Sequence, residues 1–242
     1  MIKLEKLSKS FGEKKILANV DLTIPDGDFL AVIGPSGSGK STLLRLLLRL
    51  QDPTAGKVLI NDQDIALLDE EGLVNMRKKI GMVFQSGALF DSMNIFENVA
   101  FALREHTKLP EEEIRKTVRE KLRLVELEEA AELMPSELSG GMQKRAGIAR
   151  AMAFNPEIIL YDEPTTGLDP ATSLTIENLM IKLSREPRVT SIVVTHVMQT
   201  VERVAKNVVL LHDYKFIEAG TPAQVKDSKI PAVRKFVTGE KS

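Results

Sequence analysis

Residues 34–41, with the sequence GPSGSGKS, constrain the fold more than any other segment because they match the pattern G-x-x-x-x-G-K-[ST]. The residues before them, 29–33, are all apolar and have the length of a buried parallel strand. The leucine-rich residues from about 41 to 50 predict a helix that is buried nearly all round. A strand, a glycine-rich loop and a helix in this order predict an α/β core that binds the phosphate groups of a nucleotide.

The phosphate loop supplies most of the predicted binding residues. Glycine tolerates positive φ and leaves room beside the backbone, so successive N–H groups can curl around phosphate oxygens. Lys40 would reach the β- and γ-phosphates, and the hydroxyl of Ser41 would bind Mg²⁺. The alternative, a glycine-rich turn with an exposed lysine, leaves the flanking strand and helix unexplained. The predicted nucleotide-binding residues of this segment are Gly34, Pro35, Ser36, Gly37, Ser38, Gly39, Lys40, Ser41 and Thr42.

Three further side chains follow apolar segments of strand length. Asp162 and Glu163 come after residues 158–161, and two acids in this place often only cap the next turn. Beside a phosphate loop, Asp162 would reach Mg²⁺ directly or through water. Glu163 would then act as the general base for the attacking water. His196 follows residues 191–195 and would contact the γ-phosphate at the same edge of the sheet, the alternative being a structural histidine.

The distribution of residue types predicts one domain, residues 1–242, with an insertion. The first sixty residues are mostly strand-like, whereas residues 87–155 are rich in Glu, Lys, Arg, Leu and Ala and predict helices. Pro110 and the three glutamates after it would begin one of these helices. Its apolar face would consist of Ile114, Val118, Leu122 and Val125. Residues 1–86 and 156–242 would then form an α/β core that the helical insertion interrupts.

Composition excludes several other classes. Lys and Arg total 33 and Asp and Glu total 34, and the net charge of -1 argues against a protein that coats nucleic acid. The absence of cysteine excludes disulfides, thiolate metal sites and a cysteine nucleophile. No apolar run approaches the length of a membrane span, and the first residues do not resemble a signal peptide. We therefore expect a cytoplasmic protein that reaches a membrane only through partners.

Residues 138–142, with the sequence LSGGM, indicate which kind of phosphate-loop protein this is. Ser139 is a good N-cap for a helix that we expect over about 142–154. Gly140 and Gly141 leave the N-terminus of that helix open to an anion. Together with the phosphate loop, this segment resembles the signature segment of ATP-binding cassette (ABC) proteins.

Other motifs of that family follow in their usual order. Phe11 resembles the aromatic residue that stacks on adenine, and Gln85 resembles the glutamine that senses Mg²⁺ and the attacking water. Residues 168–169 resemble the D-loop, and His196 resembles the switch histidine. The catalytic residues that the motifs and the resemblance assign are Lys40, Gln85, Glu163 and His196, and the Mg²⁺ ligands are Ser41, Gln85 and Asp162. The chain departs from the pattern at Met142, where most members have glutamine, and at Val197, where many have aspartate.

The resemblance implies a fold and an assembly. The fold would be a RecA-like phosphate-loop core with an N-terminal antiparallel β subdomain and an inserted helical subdomain. Two chains would bind two ATP molecules head to tail, with the phosphate loop of one chain facing residues 139–141 of the other. The γ-phosphate would hold the dimer closed and hydrolysis would release it. Two membrane-spanning permease subunits would dock at residues 86–90.

Residues 83–90, 103–106 and 135–142 resemble the ATPase of MCE-type lipid transporters, the Mla-like systems that move phospholipid between bacterial membranes. This resemblance implies an MCE-domain subunit and a position on the inner face of the bacterial inner membrane. The alternative is the ATPase of an importer for amino acids or another small solute, which would share every catalytic residue. An ABC protein without a permease usually has a long coiled-coil insertion or a second cassette, and this sequence has neither.

Overall fold

The computed structural model describes residues 1–187 and 189–239, so residues 188 and 240–242 of the predicted domain lie outside the described residues. The strands are β1 Ile2–Phe11, β2 Lys14–Ile24, β3 Phe29–Ile33, β4 Ala55–Ile60, β5 Gln63–Asp64, β6 Ile80–Val83, β7 Ile158–Asp162, β8 Thr190–Thr195, β9 Asn207–His212 and β10 Lys215–Gly220. The helices are α1 Lys40–Leu47, α2 Glu70–Lys78, α3 Ile95–His106, α4 Glu111–Leu124, α5 Gly140–Ala151, α6 Pro170–Ser184, α7 Met198–Val204, α8 Pro222–Lys226 and α9 Pro231–Thr238.

The strands form two sheets. The first is antiparallel with the order β2-β1-β4-β5, and the second has the order β10-β9-β3-β8-β7-β6. In the second sheet β9, β3, β8, β7 and β6 are parallel and β10 is an antiparallel edge strand. All of β3 is buried between β8 and β9, as its continuous apolar sequence predicts. The segments after β3, β6, β7 and β8 therefore leave the sheet at one common edge.

The core has two parts, one on each face of the six-stranded sheet. Side chains of β3 alternate between them, so Leu30 and Val32 lie in one cluster and Ala31 and Ile33 in the other. The first cluster contains α1 and the antiparallel sheet, and the second contains α3 to α7. The phosphate loop, which joins β3 to α1, is consequently anchored by packed elements at both of its ends.

Helix α1 is shorter than the sequence predicts, because it ends at Leu47 and not at Leu50. Arg49 has a φ of 47° and therefore leaves the helical conformation. The N–H of Leu50 donates to the carbonyl of Arg45 at 2.9 Å, which completes a Schellman-type end. The side chain of Leu50 is 55% exposed, so the prediction that the whole leucine run is buried is wrong at this residue.

Helix α5 also differs from its predicted bounds of about 142–154. It begins at Gly140 because the Ser139 Oγ accepts a hydrogen bond from the N–H of Met142 at 3.3 Å. It ends at Ala151, and Asn155 beyond it has a φ of 50°, which no continuing helix allows. The predicted capping role of Ser139 is therefore correct, although the helix is displaced toward the N-terminus.

The helices of the middle region form as the sequence predicts. Helix α4 begins directly after Pro110 and buries Ile114, Val118 and Leu122, whereas Val125, the last residue of the predicted face, is buried one residue beyond the helix. Helix α3 begins at a capping box in which Asn94 and Glu97 bond each other's backbone N–H groups. Among the described residues, no helix is both long enough and apolar enough to cross a membrane.

Candidate nucleotide site

The predicted nucleotide site is a cleft of about 430 Å³ at the common edge of the six-stranded sheet. It collects segments that are far apart in sequence, because β3, β7 and β8 are neighbours in the sheet and their carboxyl ends coincide. The lining residues are Phe11, Lys14, Ile16, Ser36, Gly37, Gly39, Lys40, Ser41, Thr42, Gln85, Glu163 and His196. Most of the residues that the sequence assigns to nucleotide binding thus meet in one place.

Packing as well as conformation requires glycine in the phosphate loop. Gly39 has a φ of 108°, and a Cβ atom there would lie 2.4 Å from Cγ2 of Ile16. A Cβ atom on Gly34 would lie 2.7 Å from the carbonyl oxygen of Leu211. The loop is thus pressed between β2 and β9, and the N-terminus of α1 lies directly behind it. This fixed, curled backbone suits a phosphate group.

Lys40 is buried against its own loop, with 6% of its surface exposed. Its Nζ atom donates to the carbonyls of Gly34 at 2.8 Å and Pro35 at 3.1 Å, and lies 3.8 Å from Oε1 of Glu163. Burial lowers the pKa of Lys40, and the nearby carboxylates of Glu163 and Asp162 only partly oppose this effect. The ammonium group is already desolvated beside the loop that would hold the phosphates.

Two side chains with oxygen atoms that could bind a metal ion, Ser41 and Asp162, lie next to each other at the phosphate loop. The Oγ of Ser41 donates to Oδ1 of Asp162 at 2.9 Å. Burial raises the pKa of Asp162, and the hydrogen bond from Ser41 lowers it in part. A hydroxyl and a single carboxylate fit Mg²⁺, which prefers few protein ligands together with phosphates and waters. Gln85, the third predicted ligand, is exposed in the same cleft.

Glu163 is held in an unusual conformation at the end of β7. Its φ is 47°, which is uncommon for a residue other than glycine, and its N–H donates to the carbonyl of Val194 at 2.9 Å. Its Oε2 accepts hydrogen bonds from Thr166 Oγ1 at 2.9 Å and Thr195 Oγ1 at 3.0 Å. Its Oε1 lies 2.9 Å from Nδ1 of His196. Backbone strain of this kind is typical of functional positions.

These contacts determine the protonation of the Glu163 carboxyl group. Burial raises its pKa, but the hydrogen bonds from His196, Thr166 and Thr195 more than compensate, so the pKa lies below its usual value. The carboxylate is therefore ionised at neutral pH and able to accept a proton. An ionised carboxylate only accepts hydrogen bonds, so Nδ1 of His196 carries the proton in their contact.

Ser139, Gly140 and Gly141 lie outside this cleft. They form the exposed or half-buried beginning of α5. A Cβ atom on Gly141 would lie 2.4 Å from Cγ2 of Thr172, so this turn packs closely against α6. The structure does not bring these predicted nucleotide-binding residues to the phosphate loop of their own chain.

Lys144 in α5 contacts the site, although its position in the sequence does not predict this. Its Nζ atom donates to the carbonyls of Gln85 and, at 3.4 Å, Glu163, and only 6% of its surface is exposed. Burial lowers the pKa of Lys144. The adjacent Arg145 instead bonds the carbonyl of Val125 at 2.8 Å. Nothing in the sequence distinguishes these two cations, because only the packing of α5 decides which one faces the site.

Comparisons with known proteins identify the class. A family model described as ABC transporter matches residues 17–166, and the chain belongs to this family. MlaF of Haemophilus influenzae, an intermembrane phospholipid transport system ATP-binding protein, is 44% identical over 240 residues, covering 99% of this chain and 91% of that protein. A Mycobacterium tuberculosis protein named as a probable ribonucleotide transport ATP-binding protein, mkl, is 41% identical over 240 residues, covering 99% of this chain and 67% of that protein.

A solved structure supports the same class. It is a dimeric ATP-binding cassette in a post-hydrolysis state, bound to ADP and Pi. It is 40% identical with a TM-score of 0.81, covering 89% of this chain and 96% of the solved chain. The predicted family and the predicted ABC ATPase fold are both confirmed.

Proposed function

We propose that this chain is the ATP-binding and ATP-hydrolysing subunit of an ABC transporter that moves phospholipid across or between bacterial membranes. The observation that carries the ATPase function is the buried, ionised Glu163 carboxylate, held by His196 within 3.8 Å of Lys40. The phospholipid cargo is supported by the MlaF relatives, which are 41–44% identical over nearly the whole chain.

Several groups at the cleft have a defined part in the proposed reaction. The loop N–H groups and Lys40 bind the β- and γ-phosphates, and the exposed ring of Phe11 stacks on adenine. Glu163 takes the proton of the attacking water while the new oxygen–phosphorus bond forms and the bond to the β-phosphate oxygen breaks. His196 contacts the γ-phosphate and keeps Glu163 oriented. Ser41, Asp162 and Gln85 would hold Mg²⁺, which would neutralise charge on the phosphates.

The complete site requires two copies of the chain. Ser139 and Gly140 are exposed, Gly141 is half-buried, and all three lie outside the cleft of their own chain. The open N-terminus of α5 suits an anion, so in a head-to-tail dimer it meets the γ-phosphate bound by the other copy. The dimeric state of the matched solved cassette supports this arrangement.

Replacing Ser139 by arginine tests the two-copy site. The long side chain obstructs the N-terminus of α5, so we expect ATPase activity to fall by about 100-fold or more, as when transition-state donors are removed. ATP binding to the separate chains should remain within about twofold of the wild-type value, because the cleft is untouched. Thr23→Arg, at an exposed position of β2, is the matched control. Normal ATPase activity in Ser139→Arg would show that residues 139–141 take no part in the reaction.

A second surface fits the permease subunits. A groove of about 550 Å³ beside residues 86–90 is lined largely by apolar side chains, among them Met82, Phe84, Ala88, Phe90, Phe101 and Phe154. Phe90 is 43% exposed and its ring lies 5.0 Å from that of Phe101. Such a groove suits the apolar face of a short helix.

Replacing Phe90 by alanine tests this contact. We expect the variant to lose most of the permease that co-purifies with the wild-type chain, because Phe90 supplies the exposed aromatic surface of the groove. Its basal ATPase activity should stay within about twofold, because Phe90 does not line the nucleotide cleft. Leu109→Ala removes a similarly exposed apolar side chain, 45% exposed, and is the control. Undiminished permease recovery with Phe90→Ala would rule out this groove as the docking site.

The remaining partners follow from the phospholipid proposal. The assembly contains two permease subunits and an MCE-domain subunit. The present chain lies on the inner face of the inner membrane, and its residues 87–155 form the helical insertion. The mkl relative favours a second candidate, the ATPase of a small-solute importer. Purification of the chain from native membranes in gentle detergent, with mass spectrometry, separates the two. An MCE-domain protein with bound phospholipid supports the first candidate, and a solute-binding protein supports the second.

A further inference from the structure

A chain of buried hydrogen bonds lies behind the candidate site and joins three segments. Thr165 Oγ1 lies 2.8 Å from Thr200 Oγ1, and Thr200 Oγ1 donates to Oε1 of Glu177 at 2.8 Å. The other carboxylate oxygen of Glu177 pairs with Nε of Arg203 at 2.8 Å. Thr165, Glu177 and Thr200 are 4%, 4% and 0% exposed. Burying a carboxylate and two hydroxyls is costly unless each is paired, and here each has a partner.

The direction of these hydrogen bonds follows from proton counting. A hydroxyl group has one proton, and Thr200 donates its proton to Glu177. Thr165 must therefore donate to Thr200, and Glu177 is the final acceptor for both Thr200 and Arg203. Thr200 occupies the middle of the network, where it both accepts and donates.

Each member of the network lies close in sequence to a segment of the site. Thr165 is two residues beyond Glu163 and directly precedes Thr166, which bonds Oε2 of Glu163. Thr200 lies in α7, which begins two residues after His196. Glu177 lies in α6, whose N-terminus is capped by Asp169. The network therefore ties the segment after Glu163, the segment after His196 and the helix after Asp169 to one another.

We infer that Thr200, held by Glu177, is a positioning residue that fixes the Glu163 segment relative to His196. The Glu163 and His196 side chains meet at 2.9 Å only while the segments that carry them keep their relative position. The hydrogen bond between Thr165 and Thr200 connects these two segments, and Glu177 holds Thr200 from α6. The inference rests on the proposed roles of Glu163 and His196.

Steady-state ATPase kinetics of Thr200→Val and Thr200→Ser test the inference. Valine has the shape of threonine but no hydroxyl, so we expect kcat to fall by about 10- to 100-fold, as displacements of catalytic groups cause. KM for ATP and the stoichiometry of nucleotide binding should stay within about twofold, because Thr200 does not line the nucleotide cleft. Serine keeps the hydroxyl and should retain a kcat within about threefold of the wild-type value.

Three further variants make the outcome decisive. Thr165→Val removes the hydrogen bond from Thr165 to Thr200 but leaves Glu177 paired with Thr200. We therefore expect a smaller loss of kcat than in Thr200→Val, with unchanged KM. Thr175→Val, at an exposed position of α6, is the control and should be silent. A wild-type kcat in Thr200→Val would overturn the inference, as would equal losses in the valine and serine variants or a parallel loss of nucleotide-binding stoichiometry. Glu163→Gln is measured beside them, because full activity in that variant would instead refute the proposed catalytic roles.

Discussion

Replacing Glu163 by glutamine is expected to lower kcat for ATP hydrolysis by about 100- to 10,000-fold, the usual contribution of a general base. The carboxylate is ionised and faces the cleft, whereas a carboxamide cannot take the proton of the attacking water. Glutamine has the same size and can still accept hydrogen bonds from Thr166 and Thr195, so the architecture should persist. ATP affinity should remain within about threefold, measured by equilibrium binding of a labelled nucleotide.

The same variant should accumulate in a closed, ATP-bound dimer, because the step that opens the dimer is blocked. Analytical ultracentrifugation with ATP and Mg²⁺ should show this dimer. An excess of ADP should dissociate it into single chains. Glu157→Gln, at an exposed position one residue before β7, is the control and should hydrolyse ATP normally. Near-normal turnover in Glu163→Gln would mean that another group activates the water.

Replacing Lys40 by alanine should have the second large effect. The Nζ atom of Lys40 lies beside the phosphate loop and 3.8 Å from Glu163, so its loss removes the buried cation between the loop and the proposed base. A hydrogen bond from a charged group contributes about 1.5–3 kcal/mol, so ATP affinity should fall by about 10- to 150-fold. Hydrolysis should become undetectable even at saturating ATP, because the γ-phosphate is no longer oriented.

Calorimetric titration with a non-hydrolysable ATP analogue measures the loss of nucleotide affinity, and phosphate release measures the loss of hydrolysis. Lys57→Ala removes an exposed lysine of β4 and should leave both quantities unchanged. If Lys40→Ala bound the ATP analogue with wild-type affinity, the phosphates would not bind at Lys40. Thermal unfolding of both variants shows whether the fold is intact.

The sequence predicts this site well where local rules operate. The phosphate loop needs only its own glycines, its lysine and the helix that follows. Asp162, Glu163 and His196 converge because parallel strands place their carboxyl ends together, and strand-like apolar runs before them reveal that edge. Ser139 is recognisable as a helix cap from its residue type and its position.

Features that depend on side-chain packing are not predictable in the same way. The helix α1 stops at Leu47 because Arg49 turns left-handed and its guanidinium group bonds the carbonyls of Ile65 and Leu68. No local pattern signals these distant partners. The same holds for the hydrogen-bond network around Thr200. Its partner Thr165 is 35 residues away in sequence, and its partner Glu177 is 23 residues away. Only the packing of α6, α7 and the segment after β7 against one another brings them together.

In the proposed dimer the phosphate loop of one copy faces residues 139–141 of the other, and disulfide cross-linking measures this arrangement directly. The chain contains no cysteine, so each introduced cysteine is unique. Ser36 and Ser139 are both exposed, and Ser36→Cys and Ser139→Cys chains would be mixed in the Glu163→Gln background and oxidised. We expect a cross-linked dimer that contains one chain of each kind, formed with ATP and absent without it. Neither chain alone should cross-link, nor should a mixture with Lys57→Cys in place of Ser36→Cys. A mixture that stays uncross-linked while ATP is bound, or that cross-links equally without ATP, would rule out the head-to-tail dimer.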